Sequence, residues 1–371
     1  MRTLVIALLI GSACGSVPPP VEPLPDAGPD AGQMGVDAGQ PDSGSSDAGV
    51  DGGLYFPPPG DGWETAASGW DPARLEEAAL FAQQQHSTAL IVLDRGRIVL
   101  ERYWPLANGT ATDMHTAGPI FSAGKSVVSA LLGEAIFNGQ IELERPVSDY
   151  LDAGWSGASP AQEQAIVMRH LVTMTSGLRP TPALSYAAAP GTQWVYNTDA
   201  YYKVIESLEA VNGKARSELL KTVIGDRIGL EHSQFLGNFV NFSARDMARF
   251  GLLMLAHGSW AGTAVLHNQP YLDASTHSSQ TLNPSYGYLW WLNGQSSFVL
   301  PGGTQSAGPL IPAAPADLFA ALGAGDKKIY VCPREGWVVV RHGPPADTDA
   351  QALSSFDNQL WTKLMAAAPA R

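Results

Sequence analysis

Strands lie near both ends of the folded part of this chain and hardly at all between them. That order restricts the fold more than any other feature. Ala89-Leu-Ile-Val-Leu runs into the turn Asp94-Arg-Gly and out through Arg97-Ile-Val-Leu-Glu-Arg-Tyr-Trp, which reads as a hairpin. Apolar β-prone runs return only at 318–322, 328–332 and 337–341. A helix over 71–85 precedes the hairpin, with Asp71 as N-cap and Pro72 at its first position. A closing helix is expected over 348–367, and residues 123–315 read as mostly helical and loop-rich. Strand runs separated from helix runs argue for an α+β fold. The expected sheet is antiparallel and flanked by the terminal helices, with the helical stretch as a second lobe. A cleft between lobes is the usual place for a site.

The folded domain is expected over 61–371. Residues 1–14 read as a secretory signal, Met1-Arg-Thr followed by an apolar run too short to span a bilayer. Gly11-Ser-Ala-Cys14 resembles a bacterial lipobox, so Cys14 is expected to be acylated and to tether the chain to a membrane. An aliphatic residue is more usual where Gly11 stands, and cleavage of an ordinary signal near Ala13 is the rival reading. Gly15 follows the cysteine where an aspartate would favour inner-membrane retention, which points to an outer membrane or periplasmic face. Residues 15–60 repeat Asp-Ala-Gly, with seven acids and no Lys or Arg, and bury too little apolar surface to offset ordering entropy. That segment is expected to be a disordered acidic linker.

The chain carries a formal charge of −13, of which residues 61–371 contribute 28 acids against 21 bases. No basic cluster is interleaved with aromatics, so nucleic acid is not an expected partner. His115, His170, His267 and His342 are scattered without metal-ligand spacing, and neither a metal nor a cofactor is expected. His170, inside an apolar run, reads as structural. Cys332, in Ile329-Tyr-Val-Cys, reads as a buried small residue.

The chemistry sits in Ser122-Ala-Gly-Lys125, where an apolar helix begins. A serine and a lysine three apart share one helix face. A lysine deprived of water loses part of its preference for charge and can take the serine proton. Free N–H groups of the first turn can help hold an oxyanion. Gly124-Lys125-Ser126 also ends like a phosphate loop, but that motif needs glycine at 119, where Pro119 stands. No G-x-S-x-G elbow is present. A second polar group is offered by Trp194-Val-Tyr196-Asn197-Thr198, after a Pro-Gly turn and before an apolar helix. Beside a lysine cation the Tyr196 phenol could ionise and act as a base.

Ser122-Ala-Gly-Lys125, Tyr196-Asn-Thr198 and Gly323-Ala-Gly325 stand in the order of three motifs in serine β-lactamases and penicillin-recognising enzymes. The chain resembles their class C and esterase-like branch, including hydrolases of 6-aminohexanoate oligomers. The segments at 166–178, 242–255, 286–291 and 329–333 support the resemblance, which covers most of 62–367. It implies a β-lactamase-like fold and an acyl-enzyme on Ser122, with Lys125 as base and Tyr196 relaying protons. It also implies an oxyanion hole from the Ser122 N–H and an N–H near Asp326. Asn197 and Thr198 would be further polar contacts, beside the Gly323–Gly325 strand segment. Two departures matter. The third motif lacks the family's cation, which favours neutral small esters or amides over β-lactams; Lys327 and Lys328 follow, but at least one must point away in a strand. Asn197-Thr198 replaces the more usual small residue and Asn, which reads as substrate tuning. The expected activity is that of an exported serine hydrolase. Rival readings are a D-amino-acid peptidase or weak β-lactamase acting on cell-wall-like substrates, and a non-catalytic envelope binding module.

Overall fold

The computed structural model describes residues 53–66, 69–181, 183–346 and 352–370. The expected signal sequence, Cys14 and linker residues up to 52 lie outside these, as does Thr348.

The hairpin and the late strands join in one antiparallel sheet. Its six strands run in the order Arg97–Tyr103, Ala89–Asp94, Trp337–His342, Lys327–Cys332, Phe319–Gly323, Trp291–Leu292. The order follows from the sequence: a two-residue turn makes the first pair neighbours, and the hairpins at 324–326 and 333–336 make the last three neighbours. The strand Trp337–His342 then zips the two ends of the chain together, pairing Ile91 with Val340 on one side and Val340 with Ile329 on the other.

Alternation along these strands decides what each face meets. Lys328, Tyr330, Trp337 and Arg341 face the terminal helices Pro72–Gln84 and Ser355–Ala367, where Tyr330 meets Trp361 edge-on and Trp70 meets Trp337. Asp71 caps the first helix as expected, accepting from the N–H of Ala73 at 2.9 Å and of Arg74 at 3.2 Å. The closing helix starts at Ser355 rather than near 348, because Ser354 and Asp357 form a reciprocal capping box there.

The opposite face, carrying Lys327, Ile329, Val338 and His342, meets the helix Ala244–Leu255 and the helix Gly124–Phe137. Gly251 lets the first of these come close, since a Cβ there would lie 2.6 Å from Val338 Cγ1. The region between 123 and 315 is helical as expected, but it also supplies two strands, Phe239–Ser243 and Gln234–Leu236, to a three-stranded antiparallel sheet completed by Ala117–Pro119.

The expected linker boundary at 60 is corrected. Phe56 packs on Trp260, the Tyr55 N–H donates to Arg95 O at 2.9 Å, and Pro57 is buried. The cause is long-range: Arg249 is buried and takes the carbonyls of Pro57, Pro58 and Gly60 as acceptors.

Candidate active site

Ser122 sits in a single 3-10 turn, Phe121–Ala123, that feeds directly into the helix Gly124–Phe137. Phe121 holds the left-handed region at φ 47°, a costly conformation for an aromatic residue. Two close approaches pin the turn. A Cβ at Gly124 would lie 2.9 Å from Val240 Cγ2, and one at Gly323 would lie 2.3 Å from Ile120 O and 3.0 Å from Ala123 N. The end of the strand Phe319–Gly323 therefore abuts the Ser122 turn, and only glycine fits there.

The helix behind Ser122 is buried from Gly124 to Ala135. Its hydroxyls are used internally: Ser126 Oγ donates to Leu289 O and Ser129 Oγ to Tyr288 O, each at 2.7 Å. Lys125 is the exception. It is 3% exposed, has no carboxylate partner among the described residues, and donates from Nζ to Ser122 Oγ at 3.0 Å. Its amine lies 5.0 Å from the Tyr196 ring centroid and 4.7 Å from that of Tyr201. Burial lowers the Lys125 pKa from 10.5 to about 7, with Asp199 in the first turn of the helix Thr198–Asn212 pulling the other way. At neutral pH a large share of Lys125 is thus an unprotonated amine touching the serine hydroxyl.

Tyr196 completes the contact from the other side through a hydrogen bond with Ser122. Burial pushes its phenol up to about 12, against the lowering effect of that bond. Held up at about 12, the Tyr196 phenol stays protonated at neutral pH, which speaks against a phenolate base and leaves Lys125 as the candidate base. Tyr196 belongs to an aromatic wall, stacking on Trp291 at 6.2 Å and meeting Tyr286 edge-on, with Trp194 beside them. Trp290 points the opposite way and stacks on Phe250 in the core, as strand alternation requires.

The side chains of Asn197 and Asp326 are both committed within the fold, which leaves the expected N–H donor near Asp326 untouched. Asn197 is 1% exposed and caps the helix Thr198–Asn212, accepting from Ala200 N at 3.0 Å and donating to Leu178 O at 3.0 Å. Both ends of its amide are committed to holding the Tyr196 loop on that helix. Thr198 is the half-buried first residue of the helix. Gly325 and Asp326 lie in the turn between the strands Phe319–Gly323 and Lys327–Cys332, with φ of 68° and 56°. The Asp326 carboxylate turns away from Ser122 into a buried cluster, 3.0 Å from Lys328 Nζ and 2.9 Å from Ser354 Oγ.

The histidines have local duties. His170 accepts from the Val167 N–H, His115 pairs with Glu231, and His267 pairs with Glu134. Cys332 is buried, and burial pushes its thiol well above the ordinary range.

Sequence reasoning missed Tyr201, Tyr286 and the left-handed turn at Phe121. Tyr201 could have been found, because a residue four past the N-cap faces the same side as that cap.

A mixed sheet-and-helix fold with a serine–lysine pair at the head of a buried helix defines a recognisable class, the serine β-lactamase and penicillin-binding superfamily. The chain belongs to the Beta-lactamase family, whose model matches residues 72–342. Solved structures share the fold at low identity. One is a protein from Bacillus anthracis assigned as a 6-aminohexanoate-dimer hydrolase, at TM-score 0.61 and 17% identity, covering 84% of this chain and 88% of that one. A β-lactamase (Mb2281c) from Mycobacterium bovis gives TM-score 0.59 and 17% identity over 76% of this chain and 96% of that one. EstCE1, a hydrolase with promiscuous acyltransferase activity, gives 0.60 and 12% over 80% and 98%. None of the curated proteins matches the chain.

Proposed function

We propose that this protein is a serine hydrolase that cleaves small neutral esters or amides through an acyl-enzyme on Ser122. The observation that carries the reading is Lys125: a buried amine, 3.0 Å from Ser122 Oγ, with its pKa lowered to about 7. A purely structural lysine has no use for such a position, because burying it without a counter-charge costs stability.

In this mechanism Ser122 Oγ attacks the substrate carbonyl carbon as its proton passes to Lys125 Nζ. The oxyanion is held at the start of the nucleophile helix beside Gly323. Collapse breaks the bond to the alcohol or amine, which leaves with a proton delivered through Tyr196 from the Lys125 ammonium. Water then attacks the acyl carbon and gives up its proton along the same route. The acid is released and Ser122 Oγ–H is restored. The absence of a cation from Gly323-Ala-Gly325 and the aromatic wall of Trp194, Tyr196, Tyr286 and Trp291 support an uncharged substrate. Export and a lipid anchor at Cys14 are part of the same proposal, supported by the sequence of residues 1–14.

Intact mass of the full chain after treatment with a fluorophosphonate, beside Ser122→Ala, tests it. A single adduct on the wild type that vanishes in the variant is expected. Folded wild type without an adduct would overturn the reading.

A further inference from the structure

Two lysines follow the third motif, and the strand sends them to opposite faces. Lys328 goes to the terminal helices and pairs with Asp326 and Asp357 at 3.0 and 2.8 Å. Lys327 goes to the face that carries the nucleophile. It is 6% exposed, and the acceptor it reaches is Gly343 O, which Arg341 Nη1 also approaches at 3.2 Å. Its ammonium lies 5.6 Å from the centroid of the Phe121 ring. Phe121 also meets Phe239 edge-on at 5.4 Å.

The charged and titratable groups around Lys327 offset its charge only in part, through the field of Asp326. Arg341 and His342 come from the neighbouring strand Trp337–His342, and Asp326 spends its carboxylate on Lys328 and Ser354. His342 is half-buried, keeps its Nε2 out of solvent without a partner, and touches the strand before the Ser122 turn: a Cβ at Gly118 would lie 3.1 Å from its Cε1. Burial, then the charges of Lys327 and Arg341, hold it near pKa 3, so it stays neutral. No group from Ala117–Pro119 or Phe239–Ser243 facing Phe121 is charged. A buried cation with one shared carbonyl is costly, and an apolar residue would fill the space more cheaply. What the charge gains is the π face of Phe121, the residue held left-handed immediately before Ser122.

We propose that Lys327 is a positioning residue for the nucleophile: its ammonium clamps the Phe121 ring from the sheet side and so holds the left-handed turn that presents Ser122 to Lys125 and Tyr196. The inference rests on Ser122 being the nucleophile. Misplacing a reacting group by about 1 Å costs roughly a hundredfold in rate. The clamp needs the charged form, and burial lowers the Lys327 pKa to about 8, with Arg341 adding to the effect and Asp326 opposing it. Ser122 reactivity therefore rises through about 7 as Lys125 loses its proton and falls above about 8 as Lys327 loses its own.

The test is the second-order rate of fluorophosphonate labelling of the full chain between pH 5 and 10, for wild type, Lys327→Met and Lys327→Arg. The probe is neutral, so recognition of a substrate anion cannot enter. Lys327→Met should label about 10- to 100-fold more slowly at neutral pH. Lys327→Arg should keep the rate within about threefold and lose the fall above pH 8, since arginine stays charged. Lys327→Met labelling at the wild-type rate, or Lys327→Arg keeping the alkaline fall, overturns the inference while leaving the hydrolase reading intact. If Lys327→Met does not fold, the alkaline limb of Lys327→Arg decides alone. A folded wild type that never labels removes the nucleophile and the inference with it.

Discussion

At the scale of single residues the site depends on one pKa. Lys125 is lowered to about 7 by burial, while an unfolded chain would hold it near its ordinary value of 10.5. The sign follows by linkage: between these values the unfolded state binds the extra proton, so this group makes stability rise with pH across that window. Below about pH 7 the native state must bury an ammonium, or open to hydrate it. Lys125→Met keeps the volume between Tyr196 and Tyr201 and removes that cost. We expect it to raise stability at pH 6 by about 0.5–2 kcal/mol, seen in urea denaturation, while labelling of Ser122 falls by about 10²–10⁴. A variant both less stable and unreactive would mean that Lys125 is held as a charge. Tyr196→Phe separates the second role. With the phenol held up at about 12, its loss should slow turnover of an ester or amide about 10²-fold without moving the rise in rate near pH 7. A pH–rate profile of the two proteins checks this.

At the scale of elements, five of the six strands of the main sheet were legible because their signals are local: a tight turn between two apolar runs, and three late apolar runs close together. The Ser122–Lys125 pair was legible for the same reason, since three residues of helix bring the side chains together. Other assignments needed contacts that no local pattern carries. Asn197 reads as a polar group at a loop end, but its amide is consumed by Ala200 N and Leu178 O, the latter on a distant segment. Asp326 and Lys327 differ by one position in a turn, and which of them faces Ser122 depends on the pairing of Gly323 with Lys327. The helix Ala244–Leu255 shows how tightly such pairing is enforced. An alanine at 251 would gain about 1 kcal/mol of helix propensity over glycine. Its Cβ would also fall 2.6 Å from Val338 Cγ1 and 3.0 Å from Ile329 Cγ2, two residues on adjacent strands. Packing should win. Gly251→Ala is expected to destabilise by about 1–3 kcal/mol in chemical denaturation. Because those strands continue to His342 and Lys327, its labelling rate should also drop.

At the scale of the whole molecule, the domain begins earlier than composition suggests. Pro-, Gly- and Asp-rich sequence runs on to about 60, yet residues 53–60 lie against the domain. The reason is Arg249, in the helix Ala244–Leu255 that packs on the Lys327 face of the sheet. Its guanidinium is buried, lies 5.0 Å from the Trp63 ring centroid, and donates to the carbonyls of Pro57, Pro58, Gly60 and Ile228. Burial lowers its pKa to about 10, Asp246 opposing. A chain starting at residue 61 would keep the charge and lose three of its four carbonyl acceptors, together with the Phe56–Trp260 contact. Stranding a buried charge costs about 3–5 kcal/mol. For a domain of this size that corresponds to a fall in Tm on the order of 10 °C. A chain starting at residue 47 should melt like the full-length protein. The penalty belongs to the stranded charge, so Arg249→Met should absorb most of it: removing residues 47–60 should cost far less in that background. A double-mutant cycle on Tm and urea midpoint isolates the coupling. Equal losses in the two backgrounds would mean that the segment acts through apolar cover alone, and that the cation is satisfied without it.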